Sequence, residues 1–330
     1  MKIIKNNEIK VENWKELNKT SPFSSPFQTP EFYEFYNSLE GFSADVFAIE
    51  QDKVLNSLVV ITIQKEKGIK SYFSRRGIIY GGPIIRGGNK NSFSFLLENI
   101  NKYYKNKLIY LETRNYFDYK DQKDAFESNN YKYNPWLNFH LDTSDLNVMK
   151  KSMSSSRLRQ IKKAIKNGVT WNEAKTINDV NTFYDILLDL YKNRIKKPLF
   201  SRIFFQEFYK KKMGKYLLVY YEDKVIGGIM CPIFNTKVIF EFFVCGLDKE
   251  FNNQYPSVMA TWAAMEYANQ NNIAYFDFMG AGSPNEDYGV REFKARFGGE
   301  IVEYGRFINV INPLLYNIGV FAMKILSKIK

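Results

Sequence analysis

Two cysteines, Cys231 and Cys245, and one histidine, His140, are all that 330 residues offer to thiol or imidazole chemistry. Two isolated cysteines make neither a disulfide framework nor a CxxC metal site. One histidine excludes a multi-histidine metal centre, so no metal is expected. A Cys–His nucleophilic pair is formally open, but His140 falls in the strand-like run WLNFHLD and reads as a packed or surface side chain. No apolar run reaches the roughly 18 residues that a membrane-spanning helix needs. The N-terminal stretch MKIIKNNEIKVENWK lacks the apolar centre of a signal peptide, which predicts a cytoplasmic protein.

What the chain has in plenty is apolar and aromatic residues, 45% and 17% of the total, enough for a substantial core. Its formal net charge of +12 bears on partners rather than on fold. Such a balance suits tRNA, a nucleotide-linked substrate or an anionic membrane face, and it also fits a protein that is simply basic.

Periodicity places helices and strands in alternation. TPEFYEFYNSL, residues 29–39, has Thr29 as N-cap, Pro30 at the first helical position and an apolar stripe of Phe32, Phe35, Tyr36 and Leu39. Strands are expected at 43–50, 54–64 and 69–74, and a broken strand over 77–88, where paired glycines and Pro83 interrupt it. A helix over about 90–106, a strand at 107–114, a helix at 120–129 and a strand at 131–141 complete the first half. The second half opens with SMSSSRLRQIKKAIKNGV, residues 152–169. Leu158, Ile161, Ala164 and Ile165 make its apolar stripe, and Arg157, Arg159, Lys162, Lys163 and Lys166 its charged face. Helices at 179–193, 202–213 and 256–271 and strands at 215–222, 225–234, 237–246, 273–280 and 300–310 follow, with a C-terminal helix from about Pro313.

The halves repeat each other. FAIEQDKVLNSLVV and VYYEDKVIGGIMC both read as strand, E(x)DKV turn, strand, and each is followed by a helix and a short strand, KLIYLETR in one and NIAYFDFM in the other. Order and spacing point to a duplicated module of mixed α/β (α+β) class, divided at residues 1–150 and 151–330.

Chemistry concentrates late in the chain. DYGVREFKARFGGE places Lys294 between Phe293 and Phe297 ahead of Gly298 and Gly299. Lys294 is either a solvated helix lysine or a cation that water-excluding rings hold beside a reacting group. Asp277 ends a strand before Gly280, where it serves as a cap or turn residue, or accepts a proton or orders an amine. Tyr255 precedes Pro256 at a helix start, offering a hydroxyl to substrate or an aromatic staple to the helix.

Four stretches together resemble the FemABX family of peptidyl transferases: SRLRQIKKAIKNGV, FYDILLDLYKNR, QYPSVMATWAAMEYANQNNIAYFDFMGAG and YGVREFKARFGGEIVEYGRF. FQTPEFYEFY and YGGPII are weaker matches in the first half. The resemblance covers most of the chain, with its specificity after residue 150. It implies two tandem GNAT-like (acetyltransferase-type) domains, each a mixed sheet flanked by helices. It also implies transfer of an amino acid from aminoacyl-tRNA to an amine of a cell-wall or other envelope precursor. The chain lacks the long charged coiled-coil insertion of some members, so an arm-less relative fits better.

By the same resemblance, Lys294 and Phe293 match a catalytic Phe-Lys pair. Arg194, which ends FYDILLDLYKNR, matches an arginine that meets the phosphate of a nucleotide-linked substrate; otherwise it is a surface arginine. No cofactor is implied, since aminoacyl-tRNA is a co-substrate. The alternative donor is acyl-CoA, acting on the sugar amine of a surface polysaccharide. FNNQYP, ahead of helix 256–271, lacks the glycine loop that holds the pyrophosphate of acetyl-CoA, which argues against that donor. A non-catalytic nucleic-acid or membrane-binding protein is a further alternative. The basic face at 157–166 either contacts tRNA or is merely solvated. The C-terminal PLLYNIGVFAMKILSKIK either lies on the inner membrane face, making the protein membrane-peripheral and close to a lipid-linked precursor, or packs on the second domain.

Overall fold

The computed structural model describes residues 1–64 and 74–329, with side chains through Phe321. The strand expected at 69–74 lies, but for Ser74, outside the described residues. The chain forms two compact units, residues 1–135 with 304–330, and residues 136–303.

The first unit is built on a mixed sheet. Its spatial order is Lys2–Lys5, Phe42–Gln51, Val54–Gln64, Arg76–Gly81, Tyr110–Asn115, Arg306–Val310 and Lys132–Asn134, with Ile84–Ile85 also paired to Val54–Gln64. All pairs are antiparallel except Arg76–Gly81 with Tyr110–Asn115, which run parallel from Arg76↔Tyr110 to Gly81↔Asn115. The helix Lys90–Tyr104 covers this sheet through Phe93, Leu96, Leu97 and Ile100, which meet Phe47, Ile49, Val59 and Ile61 in one core. Each large apolar side chain buried in this way contributes roughly 1.5–3 kcal/mol. The helix Pro30–Asn37 forms as its sequence predicts, with the Thr29 hydroxyl accepting from Phe32 N.

The second unit repeats the order. Its sheet runs Glu300–Glu303, Leu137–Asp142, Tyr275–Asp277, Val238–Phe240, Lys224–Phe234, Gly214–Tyr221 and Thr170–Glu173, with Phe243–Gly246 also on Lys224–Phe234. One pair is again parallel, Val238–Phe240 with Tyr275–Asp277, and a helix, Pro256–Gln270, lies between the two in sequence. Ala260, Ala263, Ala264 and Ala268 are fully buried on that helix, so it lies close on Ile229 and Cys231 of the sheet. Both E(x)DKV segments form hairpin turns beside a register shift, at Ile49/Glu50 and at Val219/Tyr220.

Several expectations shift. The units do not divide at residue 150: Leu137–Asp142 belongs to the second sheet and Arg306–Val310 to the first. The single strands expected at 131–141 and 300–310 are each two strands in different sheets. Pro135, which has no N–H to give to a ladder, separates the first two, and Gly305, at φ 63°, the others. The strand expected at 237–246 is likewise two, broken at Glu241. The helix over 152–169 is Ser155–Lys166, capped by the Ser154 hydroxyl on Arg157 N, with Gly168 at φ 87° just past its end. Arg157, expected on its solvated face, is buried, and Ile165, expected in its apolar stripe, is 52% exposed. Helix 179–193 is Ile177–Leu190 followed by a π turn, Tyr191–Ile195.

Candidate active site

The two parallel strands of the second unit part after three residue pairs. Glu241 N still donates to Asp277 O at 2.9 Å, but Phe242 N turns to Met230 O on one side and Phe278 N to Phe139 O on the other. In the first unit the parallel pair stays closed through its sixth residue. Ligands of α/β sheets bind beyond the carboxyl ends of such strands, so the split makes the second unit the candidate for the site.

Lys294 fills the split. Its Nζ donates to Phe278 O at 2.5 Å and to Gly280 O at 3.0 Å, and lies 3.0 Å from Glu241 Oε1. The ammonium's three donors are matched by two carbonyls from one strand end and a carboxylate from the other. Lys294 is 8% exposed and Glu241 5%, so the pair is shielded from water. The Thr261 hydroxyl donates to Glu241 Oε2 at 3.2 Å. Lys294 is therefore not a solvated helix lysine.

Its helix, Gly289–Ala295, presents a second cation one turn earlier. Arg291 Nε donates to Ala281 O at 2.9 Å, and its Nη2 donates to Ser283 O. Arg291 and Lys294 thus hold four carbonyls of the loop 278–283. Gly280 and Gly282 supply the positive φ angles, 115° and 82°, that turn those carbonyls toward the helix.

Asp277 fixes the loop from the other side. Its Oδ1 accepts from Asn138 Nδ2 at 2.8 Å and from Met279 N at 2.6 Å, and its Oδ2 lies 3.0 Å from His140 Nε2. Asn138 Oδ1 in turn accepts from Gly280 N at 2.7 Å. Asp277 is 3% exposed and engaged on both oxygens, the geometry of a turn residue. Burial alone would lower the His140 pKa, but the hydrogen bond and charge of Asp277, with Glu300 beyond, raise it above its ordinary value. Burial pushes the Cys231 and Cys245 thiols well up, so neither supplies a thiolate. No group of three or more metal-ligating side chains occurs among the described residues.

Phe293 and Phe297 flank Lys294, edge to face at 5.4 Å between ring centroids. The Arg157 guanidinium stacks over both, 4.5 Å and 4.3 Å from the centroids. Lys294 and Asp277 therefore meet at one loop, and Phe293 stands beside Lys294 on its helix with its ring against Phe297 and Arg157. Tyr255 and Arg194 stand apart on other elements of the unit. Tyr255 precedes helix Pro256–Gln270 in a left-handed conformation, φ 50°, with its ring packed on the core. Arg194 is exposed on the π turn. The Tyr191 ring on that turn packs against Phe243, 6.4 Å between centroids, and burial first, then the Tyr288 phenol, raises its pKa.

The sequence reading missed Glu241, Asn138, Arg291 and the burial of Arg157. An acid inside the apolar run IFEFF was the signal for Glu241, and the three-residue spacing to Lys294 was the signal for Arg291.

Residues 215–324, which hold Glu241, the loop and the Lys294 helix, match the FemAB family. Aminoacyltransferase FemA of Staphylococcus aureus (strain bovine RF122 / ET3-1) is 24% identical, over 89% of this chain and 92% of FemA. That alignment spans 395 positions, more than the 330 residues here, so FemA carries stretches with no counterpart in this chain. Among solved structures, FemX superimposes with a TM-score of 0.74 at 13% identity, covering 96% of this chain and 99% of FemX. A tandem GNAT protein of the clavulanic acid biosynthesis pathway gives 0.59 at 8% identity, covering 94% and 99%. These likenesses establish the fold of the chain as two mixed sheets flanked by helices, GNAT-like in kind.

Proposed function

We propose that this protein is an aminoacyltransferase that moves an amino acid from the ester of aminoacyl-tRNA to an amine of a peptidoglycan or related envelope precursor. The carrying observation is the water-shielded Lys294 ammonium between the parted ends of two parallel strands. The FemAB segment and the likeness to a FemA aminoacyltransferase support the reaction class.

In this reaction the amine nitrogen attacks the ester carbonyl carbon, a C–N bond forms and the ester C–O bond breaks. The proton lost by the amine passes to the departing ribose oxygen, since Asp277 is engaged on both oxygens. Lys294 turns the donor it gives to Gly280 O toward the oxygen that gains charge, while Glu241 and Phe278 O hold it in place. The Phe293 and Phe297 rings keep water out. Arg194, exposed on the π turn, receives the phosphate of a nucleotide-linked acceptor. Tyr255 supports the helix start.

Acyl-CoA is the poorer donor. At the start of helix Pro256–Gln270, the Asp248 carboxylate already accepts from Ser257 N at 3.0 Å and from the Ser257 hydroxyl at 2.5 Å. A pyrophosphate would have to displace that charge. The C-terminal helix supports a peripheral contact with an anionic membrane face: Leu314 is 71% and Phe321 66% exposed, and residues 311–330 contain no acid. The basic face of helix Ser155–Lys166, apart from the buried Arg157, is the surface offered to tRNA.

Incubation with charged tRNA and a peptide precursor tests this. Transfer by the wild type that collapses in Lys294→Ala is expected. No transfer, or full activity in Lys294→Ala, overturns the reading.

A further inference from the structure

Arg157 is 2% exposed and has no carboxylate within ion-pair distance among the described residues. Its Nη1 donates to Gln160 Oε1 at 2.8 Å, its Nη2 donates to Phe293 O at 2.9 Å, and its buried Nε has no partner. A buried cation without an ion partner is costly, and an apolar side chain of the same length would pack there at less cost. Burial first, then Arg296, against a smaller opposing pull from Asp248, lowers the Arg157 pKa to about 10, which leaves it charged at neutral pH.

The geometry of the Lys294 helix gives that charge a use. Seven residues are too few for a helix that stands by itself. Of its last four carbonyls, those of Glu292, Lys294 and Ala295 accept from the backbone N–H groups of Arg296, Phe297 and Gly298. The carbonyl passed over is Phe293 O, and Arg157 takes it. The same guanidinium covers the rings on both sides of Lys294. A cation at a helix C-terminus also complements the helix dipole.

We propose that Arg157 is the positioning residue of this site: by closing the Phe293 carbonyl and clamping the Phe293 and Phe297 rings, it fixes the turn that seats Lys294 in the strand split. The catalytic meaning of that seat rests on the proposed function; the seat itself does not. Arg157 touches no reacting atom. It acts through Lys294, from a helix 136 residues away in sequence.

The test is the Lys294 side-chain ammonium signal in the full-length, 15N-lysine-labelled protein. An ammonium bonded to three acceptors and shielded from water gives a slowly exchanging resonance, identified by its loss in Lys294→Met. In Arg157→Met, which keeps the length and removes the donor, the ammonium protons are expected to exchange at least about tenfold faster, the equivalent of one charge-assisted hydrogen bond. Backbone amide signals far from the site should stay in place. Arg157→Lys, which keeps the charge and cannot span both rings, should fall between the two. If Arg157→Met does not fold, Arg157→Lys decides by itself, with faster exchange than wild type expected. No slow Lys294 resonance in the wild type, or unchanged exchange in a folded Arg157 variant, overturns the proposal. Failure of tRNA-dependent transfer in the wild type would sink the proposed reaction and leave this readout intact.

Discussion

Lys294 Nζ and Glu241 Oε1 lie 3.0 Å apart where two parallel strands part, Glu241 just past the end of one strand and Lys294 on the helix Gly289–Ala295. Removing one partner strands the other charge in a dry site, which typically costs about 3–5 kcal/mol. Glu241→Gln and Lys294→Ala should each lower the unfolding midpoint in denaturant clearly. The double variant Lys294→Met/Glu241→Leu should regain most of that stability and none of the activity. Urea titrations of the three variants, run beside the transfer assay, check this.

For the reaction itself, Lys294→Ala should reduce kcat by ~10²–10³, the usual effect of losing one charge-stabilising donor. KM for the precursor should change little, because Lys294 lies under the loop rather than on an exposed face. Arg194→Ala should do the reverse, raising KM for a nucleotide-linked precursor and sparing kcat. Steady-state kinetics on both variants separate the two roles.

His140 should give the second unit a pH signature. Its folded pKa is raised above the ordinary 6.5 by Asp277 and Glu300 acting against burial. Protonation is therefore tighter in the folded state, and the stability it confers is fully present below pH 6.5. That stability is lost as pH rises through the raised value. The difference in melting temperature between wild type and His140→Asn should be larger at pH 5.5 than at pH 8.5, both values being about one to two units from the ordinary pKa. Equal differences at the two pH values would remove His140 from the account.

Gly282→Ala should disturb the site more than the fold. An added Cβ would lie 2.8 Å from the Tyr288 ring, at a φ of 82°. The strain costs about 1–3 kcal/mol and falls on the loop that carries the Lys294 acceptors. Transfer activity should drop by more than the melting temperature suggests. Gly289→Ala, whose Cβ would meet nothing within 4 Å, is the control.

The repeated order of hairpin, strand, helix and parallel strand was legible because apolar periodicity and the E(x)DKV turns are local signals. The Lys294 motif was legible for the same reason, as rings and glycines flank it within a few residues. Glu241 was passed over: the acid inside the apolar run IFEFF was its local signal, but the partner that gives it meaning lies beyond another helix and strand. Arg157 was misread because a charge on a helix looks solvated until Phe293 and Phe297 are folded over it. The division of the chain was misread because residues 300–310 form an unbroken strand pattern that two different sheets share.

That division bears on how the protein is made. Tyr110–Asn115 waits for Arg306–Val310, its neighbour in the sheet, with Arg114 set opposite Arg306. As the chain leaves the ribosome, the whole of residues 136–303 emerges before that edge can be covered. Until then the first sheet presents an open row of backbone donors and acceptors, the kind of edge that invites aggregation. A chain released after Glu303 would keep every strand of the second sheet and leave that edge bare for good. The part of the molecule that is synthesised first is the last to be finished.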